Sequence, residues 1–252
     1  MNPRSVWIII EKEQYVFFKY FHSEVANAIL FPVFMVWTMQ VGIGDAEIPG
    51  IDVAYASYIM PGLIMLTVIS TGFFNTGFVM MFEKSYTDAF EALVQTPVTV
   101  HEICLAKLVS GTLKSMVNGG VSLLVVALFI DVELSWTWLL LLPIFAVCGF
   151  FFSCIGLLMG TYLKRGYELG TWGNVLTFPL TFFGGLFFAV SQIPADLQVA
   201  VKANPVTWMI TSMREVTVYG GWGIGWEMLA LLVACVPLYL LTTLLFKRLV
   251  ID

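Results

Sequence analysis

The sequence predicts an all-α membrane protein with six transmembrane helices, and its composition and charge-free stretches together carry that prediction. Of the 252 residues, 59% are hydrophobic and only 12% are charged, whereas soluble domains carry about 25% charged residues. A helix needs roughly 20 mostly apolar residues to cross a bilayer. Six stretches without a charged residue approach or exceed that length: 25–44, 53–82, 115–130, 134–163, 169–195 and 228–246.

The distribution of lysine and arginine predicts that both chain ends face the cytoplasm. Basic residues in short loops are retained on the cytoplasmic side of a membrane. With the N-terminus inside, only Lys202 and Arg214 of the 12 basic residues fall on the outer side. The inner basic residues are Arg4, Lys12, Lys19, Lys84, Lys107, Lys114, Lys164, Arg165, Lys247 and Arg248. The topology that follows is N-in and C-in.

The N-terminal segment, residues 1–23, predicts an amphipathic helix that lies in the inner membrane interface. Apolar residues such as Val6, Ile10 and Phe17 recur at helical spacing, and charged residues such as Glu11 and Lys12 lie between them. That pattern suits a helix whose apolar side rests in the membrane surface. The alternative is a plain cytoplasmic extension of the first span.

The second span, from about 55 to 82, is longer than a bilayer requires and has a polar-aromatic middle. It follows a short acidic outer turn at 42–52. Phe73, Phe74, Asn75 and Thr76 form its middle. These side chains suit either packing between helices or the lining of a pathway, and packing is the simpler interpretation.

The inner loop at 83–107 is the longest polar interruption on the predicted cytoplasmic side. Residues 87–95 have the composition of a short helix, and Thr87 or Asp88 can cap it. Pro97 ends that helix, because the residue before a proline is disfavoured in the helical region. Thr99 or Val100 then begins the next helix. The alternative interpretation of this loop is a solvated connector.

The third and fourth spans are joined by a tight acidic outer turn at 131–135. The third span, 115–130, is short unless the stem of Lys114 extends along the apolar surface and carries its ammonium group to the interface. On the fourth span, Gly156 and Gly160 form a small-xxx-small pair. Such a pair lets two helices approach closely.

The fifth span, about 172–190, is followed by the one long outer segment, 191–226. Gly184 and Gly185 lie among phenylalanines and indicate a broken helix or a close backbone contact. Two short helices, 199–203 and 206–219, are predicted on either side of Asn204-Pro205. They are too apolar for a free loop, so half-buried outer helices that dip back towards the bilayer fit them best.

No motif for catalysis, metal binding or ATP hydrolysis is present in the sequence. The phosphate-binding pattern GxxxxGK[ST] has no match, and nothing suggests a nucleic-acid partner. No titratable residue lies in the middle of a predicted span, which disfavours proton coupling. The remaining classes are a passive unit moved by a partner at its inner loop, a self-contained carrier or channel, and a membrane-embedded lipid enzyme.

Two segments resemble the membrane subunits of type-two ATP-binding-cassette (ABC) exporters. The first is FEALVQTPVTVHEICLAK at 90–107, which fits that family's pattern E-x-L-x-x-T-P-x-x-x-x-E-I-x-x-x-K. The second is FFGGLFFAVSQIPADLQVAVKANPVTWMITSMR at 182–214, with its Gly-rich helix end, Asn-Pro pair and final arginine. Within the family, the chain looks most like the small permeases of lipo-oligosaccharide and antibiotic export.

This resemblance implies a permease subunit that works as a homodimer with two copies of a separate cytoplasmic ATPase. ATP and Mg²⁺ are then bound by the partner ATPase, and no cofactor is bound by this chain. A short helix at about 87–94, centred on Glu91, is expected to dock on the ATPase. The coupling-loop residues so implied are Asp88, Ala89, Phe90, Glu91, Ala92, Leu93, Thr96, Pro97, Glu102 and Lys107.

The same resemblance places an outer gate or exit in the second segment. Its implied residues are Gly184, Gly185, Pro194, Asn204, Pro205 and Arg214. The protein is expected to be a multi-pass protein of a prokaryotic cytoplasmic (inner) membrane, surrounded by membrane lipids. The apolar and aromatic interiors of its spans suit an amphiphilic cargo such as a lipid-linked saccharide, a lipid or a drug-like molecule.

Overall fold

The computed structural model describes residues 3–43, 47–48, 51–87, 89–129, 136–188 and 193–251. Its α-helices are α1 Pro3–Lys19, α2 Phe21–Ile43, α3 Tyr55–Ser70, α4 Thr76–Ser85, α5 Ala89–Val94, α6 Val100–Ala127, α7 Leu141–Tyr162, α8 Gly166–Phe183, α9 Ala195–Ala203, α10 Pro205–Thr217 and α11 Trp226–Ile251. A π-helical segment, Thr71–Asn75, joins α3 to α4, and a 3₁₀ segment, Trp136–Leu140, precedes α7. A small antiparallel hairpin pairs β1 Glu47–Ile48 with β2 Ile51–Ala54.

The predicted all-α membrane architecture is confirmed. Within the described residues, five helical stretches are long and apolar enough to cross a membrane. They are Phe21–Gly42, Tyr55–Ser85, Val100–Ala127, Trp136–Tyr162 and Trp226–Arg248. Each corresponds to one of the six predicted spans.

The fifth predicted span corresponds to α8, which has 18 residues and is not among these five stretches. At about 1.5 Å per residue, a helix of that length is roughly 27 Å long, slightly less than the roughly 30 Å hydrocarbon core. The count of six and the N-in orientation therefore stay predictions. The predictions for Asp88, for the outer turn at 131–135 and for 189–192 concern residues that lie outside the described ones.

The second span is the centre of the fold, because α6 and α7 both pack along it. Glycines of α7 make this possible: a Cβ on Gly156 would collide with the backbone of Phe73, and one on Gly160 with the backbone of Gly77. The small-xxx-small pair thus acts within one chain, where it brings the two helix backbones together. Only a hydrogen in place of the side chain leaves room for this crossing.

The third span starts before the charge-free stretch 115–130, as the predicted helix start at Thr99 or Val100 implies, so its length does not depend on Lys114. Helix α6 starts at Val100, where Thr99 and Glu102 form a capping box, so the helix includes both Lys107 and Lys114. Lys114 is only 3% exposed. Its ammonium group does not extend to an interface, because a carboxylate within the protein pairs with it, as described below.

Helix α1 has two apolar sides. Val6, Ile9 and Phe17 are buried against the rest of the protein, mainly against α6. On the other side, Trp7 and Tyr15 are 65% and 71% exposed. The exposed aromatic side suits the predicted position in the membrane interface, where amphipathic aromatic rings are favoured.

The crossing of α7 over the second span gives a test of the fold. We expect Gly156→Ala to lower the thermal stability of the purified chain by about 1–3 kcal/mol, because the new methyl group would push against backbone atoms that cannot rotate away. Scanning fluorimetry in detergent measures this loss as a lower Tm.

Gly120→Ala is the matched control. Gly120 lies within α6 and a Cβ there would meet nothing within 4 Å, so the substitution should leave stability unchanged or raise it slightly. Equal Tm values for the two variants would contradict the close crossing.

Candidate functional site

An ion pair closes the base of the inner loop 83–107. Glu83 lies near the end of α4, and Lys107 lies two turns into α6. The Nζ atom of Lys107 is 2.5 Å from Oε2 of Glu83. The first and last residues of the loop are therefore in direct contact. The residues between them project from this ion pair.

Helix α5 lies within the predicted helix 87–95 and presents one side to the surroundings. Phe90 is only 5% exposed and packs edge-on against Phe246 of α11, with ring centroids 6.1 Å apart. Glu91 and Ala92 are exposed. The hydroxyl of Thr87 donates to the carbonyl of Glu83, and the capping of α5 by Thr87 or Asp88 stays a prediction.

Phe90 belongs to a cluster that we name the inner apolar cluster. It joins residues of α1, α4, α5, α6, α7 and α11: Val6, Ile9, Ile10, Met80, Phe90, Ile103, Cys104, Ala106, Leu108, Cys154, Leu157 and Phe246. Because such interiors are close-packed, a displacement of one member is felt by its neighbours. Through Phe90, α5 is mechanically joined to helices from both halves of the chain.

The proline turn separates α5 from α6. The hydroxyl of Thr96 donates to the carbonyl of Leu93 at 2.6 Å, which closes the last turn of α5 before Pro97. The backbone N–H of Thr99 donates to the Glu102 carboxylate at 2.9 Å, and Glu102 is 2% exposed. Glu102 therefore fixes the start of α6 and is not part of an exposed docking surface.

A second carboxylate, Glu13 of α1, holds both buried lysines of α6. Its Oε1 is 3.0 Å from Lys107 Nζ and its Oε2 is 3.2 Å from Lys114 Nζ. Glu83 also pairs with Lys12 of α1 at 2.9 Å. We name these five residues the inner ion cluster; they tie α1, α4 and α6 together beneath the loop.

Glu13 is ionised in this setting. Burial by itself would raise the pKa of Glu13, but the charges of Lys107 and Lys114 outweigh it and lower the pKa to about 2. Breaking a buried ion pair by removing one partner leaves an uncompensated charge, which costs about 3–5 kcal/mol. The cluster is therefore stable only while both carboxylates are present.

Sequence reasoning missed Glu13, Glu83 and Lys114 as members of a site, although one signal was available. Glu13 follows Val6 and Ile10 and precedes Phe17 at helical spacing, so it lies on the apolar stripe of α1 and not on its polar side. A carboxylate on a buried stripe needs a partner. Which partner cannot be read from the sequence, since Lys107 lies 94 residues away.

The predicted outer residues meet around Arg214 of α10. Its Nη2 donates to the carbonyls of Gly185 and Leu186 at 2.6 and 3.1 Å, and its Nε donates to the carbonyl of Tyr58 at 3.1 Å. The guanidinium carbon is 3.8 Å from the centroid of the Tyr58 ring. Arg214 is 6% exposed, and burial lowers its pKa.

Gly184 and Gly185 end α8 as predicted, and Gly185 has a left-handed φ of 82°. That conformation favours glycine, and it turns the carbonyls of Gly185 and Leu186 towards Arg214. A Cβ on Gly184 would lie 2.9 Å from Val206, so α8 and α10 touch at this point.

Asn204 and Pro205 begin α10. The Asn204 side-chain oxygen accepts from the N–H of Val206 at 3.0 Å, and its amide nitrogen donates to the carbonyl of Leu180 at 2.6 Å. Pro205 takes the first helical position, which proline favours. Pro194 occupies the N-cap position of α9 instead.

Five of the six predicted outer residues thus come together where α3, α8 and α10 meet, and Pro194 stands apart. Two short helices divided by Asn204-Pro205 are confirmed, with α9 starting earlier than predicted. The described part of the chain contains no group of three or more His, Cys, Asp or Glu residues that could hold a metal ion. In both sites, the side chains connect neighbouring helices to one another.

Comparison with known proteins agrees with this layout. The family described as "ABC-2 type transporter" matches residues 4–218. Nodulation protein J of Rhizobium meliloti (strain 1021) is 24% identical over 252 residues, covering 96% of this chain and 94% of that protein. Nodulation protein J of Sinorhizobium fredii (strain NBRC 101917 / NGR234) is 25% identical over 254 residues, covering 98% and 95%.

A further relative is the inner membrane transport permease YadH of Escherichia coli (strain K12). It is 28% identical over 171 residues, which cover 68% of this chain. The match spans 64% of the length of that permease, somewhat less than two thirds.

The inner ion cluster predicts a pH-dependent loss of stability. Replacing Glu13 with Gln should destabilise the chain by about 3 kcal/mol, because both lysines then lose a buried partner. The depressed pKa of Glu13, about 2 against an ordinary 4.5, means that its contribution is complete above pH 4.5 and is lost as the pH falls towards 2. Thermal unfolding should therefore show a gap between the two proteins that is constant above about pH 5 and shrinks below pH 4.5.

Glu11→Gln serves as the control, since Glu11 lies on the exposed side of the same helix. It should unfold like the unmodified chain at every pH. A Glu13→Gln variant as stable as the Glu11→Gln variant would mean that the buried pairs contribute nothing.

Arg214→Lys tests the contact between α3, α8 and α10. Lysine keeps the charge but lacks the planar guanidinium, which donates to three carbonyls and lies over the Tyr58 ring. We expect a loss of about 2 kcal/mol in stability, measured by thermal unfolding. Arg165→Lys is the matched control at an exposed site; a loss there of the same size would show that the guanidinium of Arg214 has no special role.

Proposed function

The chain belongs to the ABC-2 type transporter family, and from that membership we propose that it is the membrane-spanning permease subunit of an ATP-driven exporter. In this proposal two copies of the chain form the pathway, and each binds one copy of a separate cytoplasmic ATPase. The chain is a multi-pass protein of the inner membrane. ATP and Mg²⁺ are assigned to the partner ATPase, and no nucleic acid is involved.

The observation that carries the proposal is the geometry of α5. This short helix exposes Glu91 and Ala92 while Phe90 fastens it to the inner apolar cluster. A solvated connector would need no such anchor, because its polar residues can remain in water. An exposed helix with a buried anchor is suited to receive a partner on one side and to pass its movement on through the other.

The inner ion cluster determines which helices move together when α5 is displaced. Because the Glu83–Lys107 pair holds the two ends of the loop together, a push on α5 displaces α4 and α6 jointly instead of opening the loop between them. Glu13 links the same point to α1. We infer that closure of the ATPase pair moves α1, α4 and α6 as one unit and so changes which side of the membrane the pathway faces.

The described chain leaves apolar surface that neighbours must cover. In the first candidate span, Phe21–Gly42, only 18% of the apolar segment is buried within the protein. In the last candidate span, Trp226–Arg248, the buried share is 28%. The second span is 67% buried by the same measure. Membrane lipids and a second copy of the chain are the partners that we propose for these outer helices.

The residues around Arg214 are proposed to form the exit on the outer side. Arg214 connects α10 to the end of α8 and to Tyr58 in α3. Its partners are carbonyl oxygens and an aromatic ring, so the contact can hold α10 over the outer end of the second span. Movement of the second span would then be passed to α10.

Replacing Glu91 with Arg tests the docking role of α5. We expect the variant to recover much less of the ATPase when the chain is purified from its native membrane, because the reversed charge opposes the partner surface that accommodates the carboxylate. ATP-stimulated export should fall in parallel. The Tm should not change, since Glu91 is exposed.

Asp196→Arg is the matched control, with the same change of charge on the exposed surface of α9, on the predicted outer side. It should retain the ATPase in full. If the Glu91→Arg variant retained the ATPase and exported normally, α5 would not be the docking helix. If the unmodified chain purified without any ATPase and transported by itself, the exporter proposal would be wrong.

A further inference from the structure

A groove of about 590 Å³ lies at the predicted cytoplasmic end of the protein, where α7, α8 and α11 come together. Helices α7 and α11 end in this region and α8 begins there, so the groove is at the level of a membrane surface and not at the middle of a bilayer. Its volume is within the usual range for sites that bind small molecules. None of its lining residues belongs to the inner ion cluster or to the site around Arg214.

Aliphatic and amphipathic aromatic side chains make up most of the lining. Leu158 and Leu163 contribute from the end of α7 and the residue after it, and Leu245 contributes from α11. Tyr162 and Trp172 are 73% and 55% exposed. Such rings favour the membrane interface, because their bodies are apolar while the hydroxyl or the indole N–H can still form hydrogen bonds. The lining therefore suits a molecule that has an apolar chain and a polar head.

Arg248 of α11 carries the one charge among the described lining residues. Its side chain is exposed. A guanidinium has five N–H donors in a planar arrangement that matches the oxygens of a phosphate group. The polar head that this groove can hold is therefore one that accepts hydrogen bonds and is negatively charged.

The surroundings of the groove have the same sign of charge. In the sequence from 158 to 172 and from 241 to 251, Glu168 is the only acidic residue, whereas four residues are basic: Lys164, Arg165, Lys247 and Arg248. Lys84 of α4 adds another cation, because its Nζ donates to the carbonyl of Thr161 at 3.0 Å, directly before the lining residue Tyr162. An anionic ligand is thus favoured over a zwitterionic one.

Helix α8 contacts the second span on one side and faces the groove with another. Leu169 is fully buried, and a Cβ on Gly173 would collide with the rings of Phe73 and Phe74. The residue before Gly173 is Trp172, whose exposed side chain lines the groove. An occupant of the groove would therefore connect the inner end of α8 to those of α7 and α11.

We propose that this groove binds one anionic phospholipid of the inner leaflet. The phosphate accepts hydrogen bonds from Arg248, Tyr162 and Trp172, and the first part of the acyl chains lies against the leucines. The rest of the chains stays in the surrounding bilayer. Basic pockets between membrane helices on the cytoplasmic side are suited to such head groups. This lipid is a bound component of the protein, and its site does not depend on the export function proposed above.

A second copy of the chain fits the groove less well. A two-fold contact places the same surface of each copy against the other. The basic residues around the groove would then face their own counterparts, and like charges opposed across an interface are unfavourable. A lipid phosphate offsets these charges.

The experiment compares two lipids with identical brominated acyl chains, phosphatidylglycerol and phosphatidylcholine. Bromine atoms quench the fluorescence of a tryptophan that they contact. The purified full chain is placed in phosphatidylcholine nanodiscs that contain a minor fraction of either brominated lipid, and tryptophan fluorescence is measured as that fraction rises. We expect phosphatidylglycerol to occupy the groove about tenfold more readily than phosphatidylcholine, the factor that one charge-assisted hydrogen bond contributes. Brominated phosphatidylglycerol should therefore quench more strongly.

Two tryptophan variants locate this excess quenching. It should disappear in Trp172→Phe, because the quenched ring is then absent. It should persist in Trp7→Phe, since Trp7 is also exposed, at 65%, but lies on α1 and does not line the groove. Thermal unfolding verifies that both variants are folded.

Two arginine variants test the head-group contact. Arg248→Gln should lower the preference for phosphatidylglycerol about tenfold. Arg4→Gln removes the same charge at an exposed position of α1, also on the predicted cytoplasmic side, and should leave the preference unchanged. An equal loss in the two variants would mean that the lipid is attracted by the overall charge and not by this groove.

Three further results would overturn the proposal. Equal quenching of the unmodified chain by the two lipids would mean that the groove does not select an anionic head group. An excess that survives in Trp172→Phe would place the preferred lipid elsewhere. A Trp172 that neither lipid quenches would indicate that a second copy covers the groove. No ATPase takes part in the measurement, so its outcome is separate from the docking experiment on Glu91.

Discussion

The ion pair between Glu83 and Lys107 is the interaction on which the inner half of the structure depends. It joins the last turns of α4 to the first turns of α6 and so determines where the loop between them projects. Lys107 could not be buried at 2% exposure without this partner and Glu13, because an unpaired ammonium in an apolar interior is strongly unfavourable. Glu13 pairs with the same lysine, so α1 is held at that closed base as well.

Buried basic side chains have different kinds of partner on the two sides of the molecule. At the inner side, lysines and carboxylates pair directly, and three separate helices supply them. At the predicted outer side, Arg214 is held by backbone carbonyls and the Tyr58 ring, so a broken helix end takes the place of an acidic partner. Between the two sides, the glycine contacts of α7 with the second span provide a crossing in which backbones touch. Close contact of this kind transmits displacement well, since no flexible side chain intervenes.

Much of the fold could be predicted from local sequence properties. Apolar length and charge distribution indicated the membrane spans, Pro97 indicated the end of α5, and Asn204-Pro205 indicated the start of α10. Gly184 and Gly185 indicated the end of α8, where a left-handed φ is required. Local properties could not identify partners that are distant in sequence: Lys114 lies buried against Glu13, 101 residues away. The role of Glu102 in capping also made it structural, although the family pattern alone grouped it with the docking loop.

By itself, the sequence determined the class of the protein, its membrane-crossing helices and the short helix that faces outward from the inner loop. These follow from hydrophobicity, proline and glycine, whose effects act over a few residues. Only the tertiary structure decided which charges are paired and which face of α1 is buried. The physical reason is that pairing and burial depend on contacts between helices far apart in the chain. A residue's own type states only that it needs a partner, and the packing of the helices decides whether it finds one.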